Sequence, residues 1–374
     1  MHLVFNIQHQ LTFTIYHSPS TINMLSHLTL PEYPRFHTTE EMQALIRTQC
    51  EAHPDIAQYL EFGHSEEGRP LYGAILGNGP RTVSLLAGAH SDEPVGPETL
   101  RTLIVEGLRQ RDKLSALFRR YRFLIVPHIN PDGEARNQPW IRRWPDLEAY
   151  LQHAFREKPG RDVEFGYPEM RVENQQISAL LRRFAPYALH LSLHGMAFAE
   201  GAFLLIERHW IERTEKLRGE FAGYARQLNL SLHDHDRRGE KGFLYLGAGF
   251  TTTPEGQAMQ RYFRDAGDEA TAALFHLSSM EYVRTLGGDP LCLVTELPLF
   301  DIRGSVGGAA PGVPAAYLAW KTLLPELQLK LANGESIGAH IAPFKVQALG
   351  LASAMRFQLH VIQWGLEAVE AATP

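Results

Sequence analysis

Apolar positions along this chain follow two spacings, and the alternation between them predicts its elements. Helical spacing comes first, over residues 39–52, opened by Thr38-Thr39-Glu40-Glu41, which reads as a capping signal, and stopped by Pro54. Residues 71–76 read as a strand. Residues 82–88 are a denser apolar run, as expected of a strand buried on both faces. Pro97 opens a helix reaching about residue 110. Residues 121–129 form another apolar strand, ended by the turn signal Asn130-Pro131-Asp132-Gly133. Residues 134–168 are polar, charged and aromatic, and read as a long loop of the kind that covers a site.

Helical spacing resumes over 169–184. Strands are predicted at 188–193 and 203–206, helices at 213–228 and 255–275, a weak strand at 282–286 and a strong one at 291–297. Helices at 312–324 and 344–369 close the chain. Strands alternating with helices predict an α/β fold, one mixed or mostly parallel sheet with helices on both faces. No repeat or linker divides it, so a single domain is expected over 31–374, after a leader at 1–30 that is disordered or belongs to a misplaced start.

Composition narrows the partners. The chain has 374 residues and a formal charge of −6. Nucleic acid and anionic membranes both require a basic face, which argues against either as a partner. Cys50 and Cys292 are too few for a disulfide framework and read as small buried hydrophobes. Residues 1–16 are interrupted by Gln8, His9 and Gln10, lack an early basic residue and show no small-residue cleavage site. They are not read as a signal peptide, and no run has bilayer-spanning length. The expected location is the cytoplasm.

Candidate chemistry lies at the ends of the apolar runs. Ala89-His90-Ser91-Asp92-Glu93 follows the 82–88 run, and its His and Glu, three apart, can close on one metal ion. In Leu189-His190-Leu191-Ser192-Leu193-His194-Gly195, period-two alternation places His190, Ser192 and His194 on one face. His194, ending the predicted strand, is the one placed to reach a cleft; His190 reads as packed beneath. Glu296 ends the 291–297 strand, where a carboxylate is costly unless paired or facing a cleft. Two histidines, a glutamate and a spare carboxylate fit a zinc hydrolase. His128 reads as a core histidine in mid-strand. Leu232-His233-Asp234-His235-Asp236, beside Arg237 and Arg238, reads as a surface loop. No helix-borne His-Glu-x-x-His, nucleophile elbow, P-loop or dinucleotide fingerprint is present.

With these residues in order, the chain resembles the zinc carboxypeptidases. Five segments carry the likeness: Gly63-His64-Ser65-Glu66-Glu67-Gly68-Arg69-Pro70-Leu71, Gly88-Ala89-His90-Ser91-Asp92-Glu93, Asn130-Pro131-Asp132-Gly133, Leu193-His194-Gly195 and Thr295-Glu296-Leu297-Pro298. Each is weak alone; the ordered set is specific. The resemblance implies a single α/β domain with a roughly eight-stranded mixed sheet. It implies one zinc ion held by His90, Glu93 and His194, with Glu296 as general base towards a zinc-activated water, and a peptide or amino-acid-derived substrate. It also implies an oxyanion-stabilising arginine after the Asn-Pro-Asp-Gly turn, for which Arg136 is the candidate and Arg142 the reserve.

One segment departs from the family pattern. Where the family has Gly-x-Asp-x-Asn-Arg-Asn-Phe, with Asn and Arg gripping the substrate carboxylate, this chain has Gly160-Arg161-Asp162-Val163-Glu164-Phe165-Gly166-Tyr167. Glu164 at that place implies a substrate with a basic or amino group near the scissile bond, or a carboxylate held by another arginine such as Arg161, Arg171 or Arg303. Tyr245 and Tyr282 are the candidates for the family's substrate-covering tyrosine. The alternatives to a carboxypeptidase are an aspartoacylase-like zinc deacylase of N-acyl amino acids and a non-catalytic binding protein.

Overall fold

The apolar strands assemble into one mixed sheet, seen in a computed structural model that describes residues 25–308 and 310–372. In chain order the strands are β1 (Ala57–His64), β2 (Pro70–Leu76), β3 (Arg81–Ala87), β4 (Tyr121–Val126), β5 (Tyr187–Ala199), β6 (Phe203–Ile206), β7 (Tyr245–Gly247), β8 (Phe250–Thr252), β9 (Leu291–Asp301) and β10 (Gln347–Ala348). Their order across the sheet is β1-β2-β4-β3-β5-β9-β6-β8-β7, with β10 added beside β9. The centre, β4-β3-β5-β9, is parallel. Among the described residues ten strands stand where roughly eight were expected; β7, β8 and β10 have three residues or fewer, too short for an alternation pattern to register.

Both faces are covered. In β3, Val83, Leu85 and Ala87 enter the larger core, against the helices Val95–Arg109 and Leu351–Ala371. Leu86 enters a smaller core on the other face, with Ile177 and Leu181 of the helix Val172–Phe184. This two-sided burial is why the central strands read as unbroken apolar runs. Cys50 and Cys292 are both buried and free. No helix among the described residues is long and apolar enough to cross a membrane. Residues 1–24 lie outside the described residues. Within 25–30, Leu25 and Leu28 are buried, and Arg356 donates to the carbonyls of Ser26 (2.9 Å) and Leu28 (2.6 Å).

Several local expectations are corrected. Thr38 does cap the helix Thr39–Glu51 in a reciprocal box with Glu41. Asn130 caps a helix rather than closing a turn: its side chain accepts from the Gly133 amide, and Pro131 occupies the first position of Pro131–Ile141. The supposed loop at 134–168 therefore holds that helix and a second, Leu147–His153. The weak strand at 282–286 is the helix Ser279–Thr285, fixed by a Ser278–Glu281 capping box that outweighs its β-branched residues. The helix expected at 255–275 breaks into Gly256–Asp265 and Glu269–Ala272 around Gly267, whose φ is +79°.

Candidate metal centre and active-site cleft

The site forms where neighbouring strands stop at different heights. β3 ends at Ala87, paired with Leu193 of β5, so His194 is the first β5 residue beyond β3. β5 and β9 run on together to Ala199 and Asp301. His194 and Glu296 thus stand in mid-strand, not at strand ends as the apolar pattern suggested, and face each other in register. The loop leaving β3 carries His90 and Glu93 into the space above its end. This is the crevice outside the carboxyl ends of the strands, where α/β sheets gather their sites. Gly88 permits the sharp exit: its φ is +73°, and a Cβ there would lie 2.5 Å from the His128 ring.

His90, Glu93 and His194 each offer a ligand atom within 4.8 Å of the others. The two Nδ1 atoms are 3.0 Å apart. Glu93 Oε1 lies 3.1 Å from His90 Nδ1, and Oε2 lies 2.9 Å from His194 Nδ1. Each far ring nitrogen meets a carboxylate: His90 Nε2 lies 3.3 Å from Asp162, and His194 Nε2 lies 3.2 Å from Glu164. Carboxylates accept, so these Nε2 atoms donate, and both Nδ1 lone pairs turn inward beside Glu93. Three electron-rich atoms at about 3 Å repel one another unless a cation lies between them. A tetrahedral zinc with ligands at about 2.0–2.1 Å needs an edge of about 3.3 Å. The donor set and its spacing fit such an ion.

The electrostatics agree. Burial pulls His194 down, but Glu93 and Glu164 outweigh it and hold the ring up at about 9. Burial and Arg156 oppose protonation of His90, and Glu93 and Asp162 override them. The nest of carboxylates thus draws positive charge to these rings, and a dication satisfies the same demand. Glu296 is the exception. Burial and the Glu93 carboxylate push it up to about 8, and its Oε2 is buried without a hydrogen-bond partner. It lines the same cleft of about 340 Å³ as His90 and Glu93.

The other sequence candidates are sorted by position. Glu164 is buried behind His194, not in the cleft. It accepts from the Ser279 amide (2.9 Å) and hydroxyl (2.6 Å) and from Ser192, so the expectation that it attracts a substrate amine is withdrawn. Arg136 pairs with Glu67 and covers Phe155 at the surface. Arg142 is exposed, and Arg161 pairs with Glu66. Arg171 and Arg303 are engaged by Glu173 and Asp301. None of these five arginines lines the cleft. Tyr245 bonds Asp234, and Tyr282 bonds the Ser178 carbonyl.

His190 is bonded to Ser84 (2.7 Å) and Ser279 (3.3 Å) beneath the site, as its spacing implied. His128 is a core histidine, though it lies two residues past β4 rather than within it. His233, expected on a surface loop, is fully buried, with its ring against Phe203 and Tyr317.

Sequence reasoning missed Arg156, Arg237 and Tyr317, which line the cleft beside Glu296. Arg156 donates from Nε to Asp92 (3.0 Å) and from Nη2 to Glu93. A lone arginine within a polar stretch carries no periodic signal. Asp92, an acid directly beside a proposed ligand, was the hint that a cation stands nearby.

Comparison with known proteins gives a consistent result. The zinc carboxypeptidase family matches residues 42–163. The chain is 28% identical over 194 residues to zinc carboxypeptidase A 1 of Anopheles gambiae, covering 50% of this chain and 41% of that protein. It is 31% identical over 182 residues to mouse carboxypeptidase M, covering 44% and 39%. These matches span about two fifths of each relative. Among solved structures, carboxypeptidase A from Helicoverpa armigera covers 90% of this chain, which covers 74% of it in turn, at 14% identity and a TM-score of 0.50. The resemblance read from the five motifs is borne out, and the fold is that of the carboxypeptidases. That family's single zinc matches the one His-Glu-His cluster found among the described residues.

Proposed function

We propose that this zinc carboxypeptidase-like chain is a zinc-dependent hydrolase that cleaves a peptide bond, with His90, Glu93 and His194 holding the ion and Glu296 as general base and acid. One observation carries the reading: Glu296 stands opposite His194 across β5 and β9, with one oxygen buried and uncommitted in the cleft that His90 and Glu93 line. A closed structural site has no use for such a group.

Zinc, when bound, supplies a Lewis acid that acidifies water and polarises the scissile carbonyl. The chain does the rest. Glu296 takes the proton from the attacking water and delivers it to the departing amine. Arg156 replaces Arg136 as the group that meets the growing charge on the carbonyl oxygen. Nε and Nη2 are fixed by Asp92 and Glu93, Arg156 lines the cleft, and Nη1 is left for the substrate oxygen. Asp162 and Glu164 keep both imidazoles in the ligating tautomer.

The test is chelation and reconstitution, with peptide products read by mass spectrometry. Zinc-free protein is expected to be inactive and zinc to restore release of C-terminal residues, whereas a deacylase releases only an acyl group. Stoichiometric zinc with an untouched peptide library overturns the reading. His194→Ala is expected to abolish zinc retention. Glu164→Ala is expected to weaken zinc affinity roughly 10–100-fold, measured by chelator competition, and Glu164→Gln less, because an amide oxygen still accepts from His194.

A further inference from the structure

Resting on that reading, we infer that Arg237, supplied from the loop after His233, anchors a carboxylate of the substrate in place of the family's missing arginine. Phe165 occupies the position where that arginine is expected, and it is buried against Phe275.

The other arginines that could take this role are already paired. Arg156, in the cleft, has Asp92 and Glu93; outside it, Arg161 has Glu66, Arg171 has Glu173 and Arg303 has Asp301. Arg237 differs. It lines the cleft, its Nε is buried without a partner, and it makes no ion pair among the described residues. Its guanidinium lies 4.2 Å above the Phe243 ring, which fixes its plane without consuming its donors. A half-buried guanidinium with free donors is poorly satisfied unless an anion arrives. Its planar fork suits a carboxylate, which it can grip through two parallel bonds.

The loop is built to hold it there. His233 is buried, its amide donates to the Ala202 carbonyl (3.0 Å), and its carbonyl accepts from Gly249 (3.0 Å). Asp234 accepts from Tyr245 (2.5 Å) and the Gly312 amide (2.8 Å), and the Asp236 amide donates to the Gly312 carbonyl (2.9 Å). Arg237 follows directly. Tyr317 lines the same cleft, within electrostatic reach of Arg237, Glu296 and Arg156. Lys321 adds a second cation to the same cleft.

The remaining walls are apolar, including Met196, Phe198, Phe203 and Trp320. A cleft with cationic anchors and greasy walls selects a free carboxylate next to a large apolar side chain. It does not select the basic group that Glu164 suggested in the sequence.

Two probes test this: an N-acylated dipeptide ending in phenylalanine with a free carboxylate, and the same peptide as its C-terminal amide. Zinc-loaded protein is expected to prefer the free acid. Arg237→Met is expected to raise KM for the free acid roughly 10–100-fold, with kcat less affected and zinc content unchanged. Arg237→Lys is expected to recover part of the loss, since a point charge keeps attraction but loses the fork.

Calorimetric binding of both probes to zinc-loaded Glu296→Gln protein reads the anchor without turnover. Tighter binding of the acid, lost when Arg237→Met is added, supports the assignment even if wild-type protein cleaves neither probe. That last outcome would count against the peptidase reading instead. Equal binding of acid and amide, or acid binding indifferent to Arg237→Met, overturns the anchor.

Discussion

Glu296→Gln is expected to lower kcat by roughly 10²–10⁴-fold while leaving the zinc content of the protein intact. General acid–base groups are typically worth that much, and here a single carboxylate is asked to serve both proton transfers. The substitution is nearly isosteric, and Glu296 Oε2 has no hydrogen-bond partner to lose, so the fold has little reason to respond. The pH profile adds an independent readout. The base must be ionised to accept a proton, so kcat/KM rises with pH through its pKa. Burial and Glu93 push that pKa up to about 8, against the opposing pull of His194, His90 and Arg156. The acid limb therefore belongs to Glu296, and residual activity of the glutamine variant should lack it. Steady-state kinetics with elemental analysis checks both parts. Full activity in zinc-loaded Glu296→Gln would remove the base from the mechanism.

The largest expected effect on stability lies away from the cleft. Arg101 and Glu134 are both buried, 2.7 Å apart, and Glu134 also accepts from the Thr39 amide (2.8 Å) and hydroxyl (2.6 Å). This network ties three helices together: Thr39–Glu51, Val95–Arg109 and Pro131–Ile141, the last of which leads out of the Asn130 cap. Removing one member strands a charge in the interior, so Arg101→Met is expected to cost about 3–5 kcal/mol. Adding Glu134→Leu should recover part of that loss, because the stranded charge is gone although Thr39 loses its acceptor.

Acid sensitivity follows from the same pair. Burial alone would raise the Glu134 carboxyl, but Arg101, His128 and Thr39 hold it down at about 2, against an ordinary value of 4.5. A depressed carboxylate contributes its full stability above the unfolded value and loses it as pH falls through the folded one. The wild-type protein should therefore lose stability steeply between about pH 4.5 and 2, and Glu134→Gln less steeply. Denaturant midpoints of the single and double variants across that range are the measurement. An Arg101→Met protein as stable as wild type would mean the buried pair contributes nothing.

Legibility divides along physical lines. The sequence by itself determined the class of fold, because two-sided burial forces unbroken apolar strands and helices to cover them. It also marked the candidate site, since His90, Glu93, His194 and Glu296 sit against such strands, where polar side chains are costly without a task. The tertiary structure decided what has no local signature. β5 and β9 outrun β3, which turns mid-strand residues into cleft residues. Glu164 falls behind His194 instead of before the substrate. Arg156 and Arg237 come from segments with no periodicity, and their surroundings are set by side chains far away in the chain. Charge recognition depends on which groups remain unpaired after folding, and pairing between distant segments is a property of the packed molecule, not of residue order.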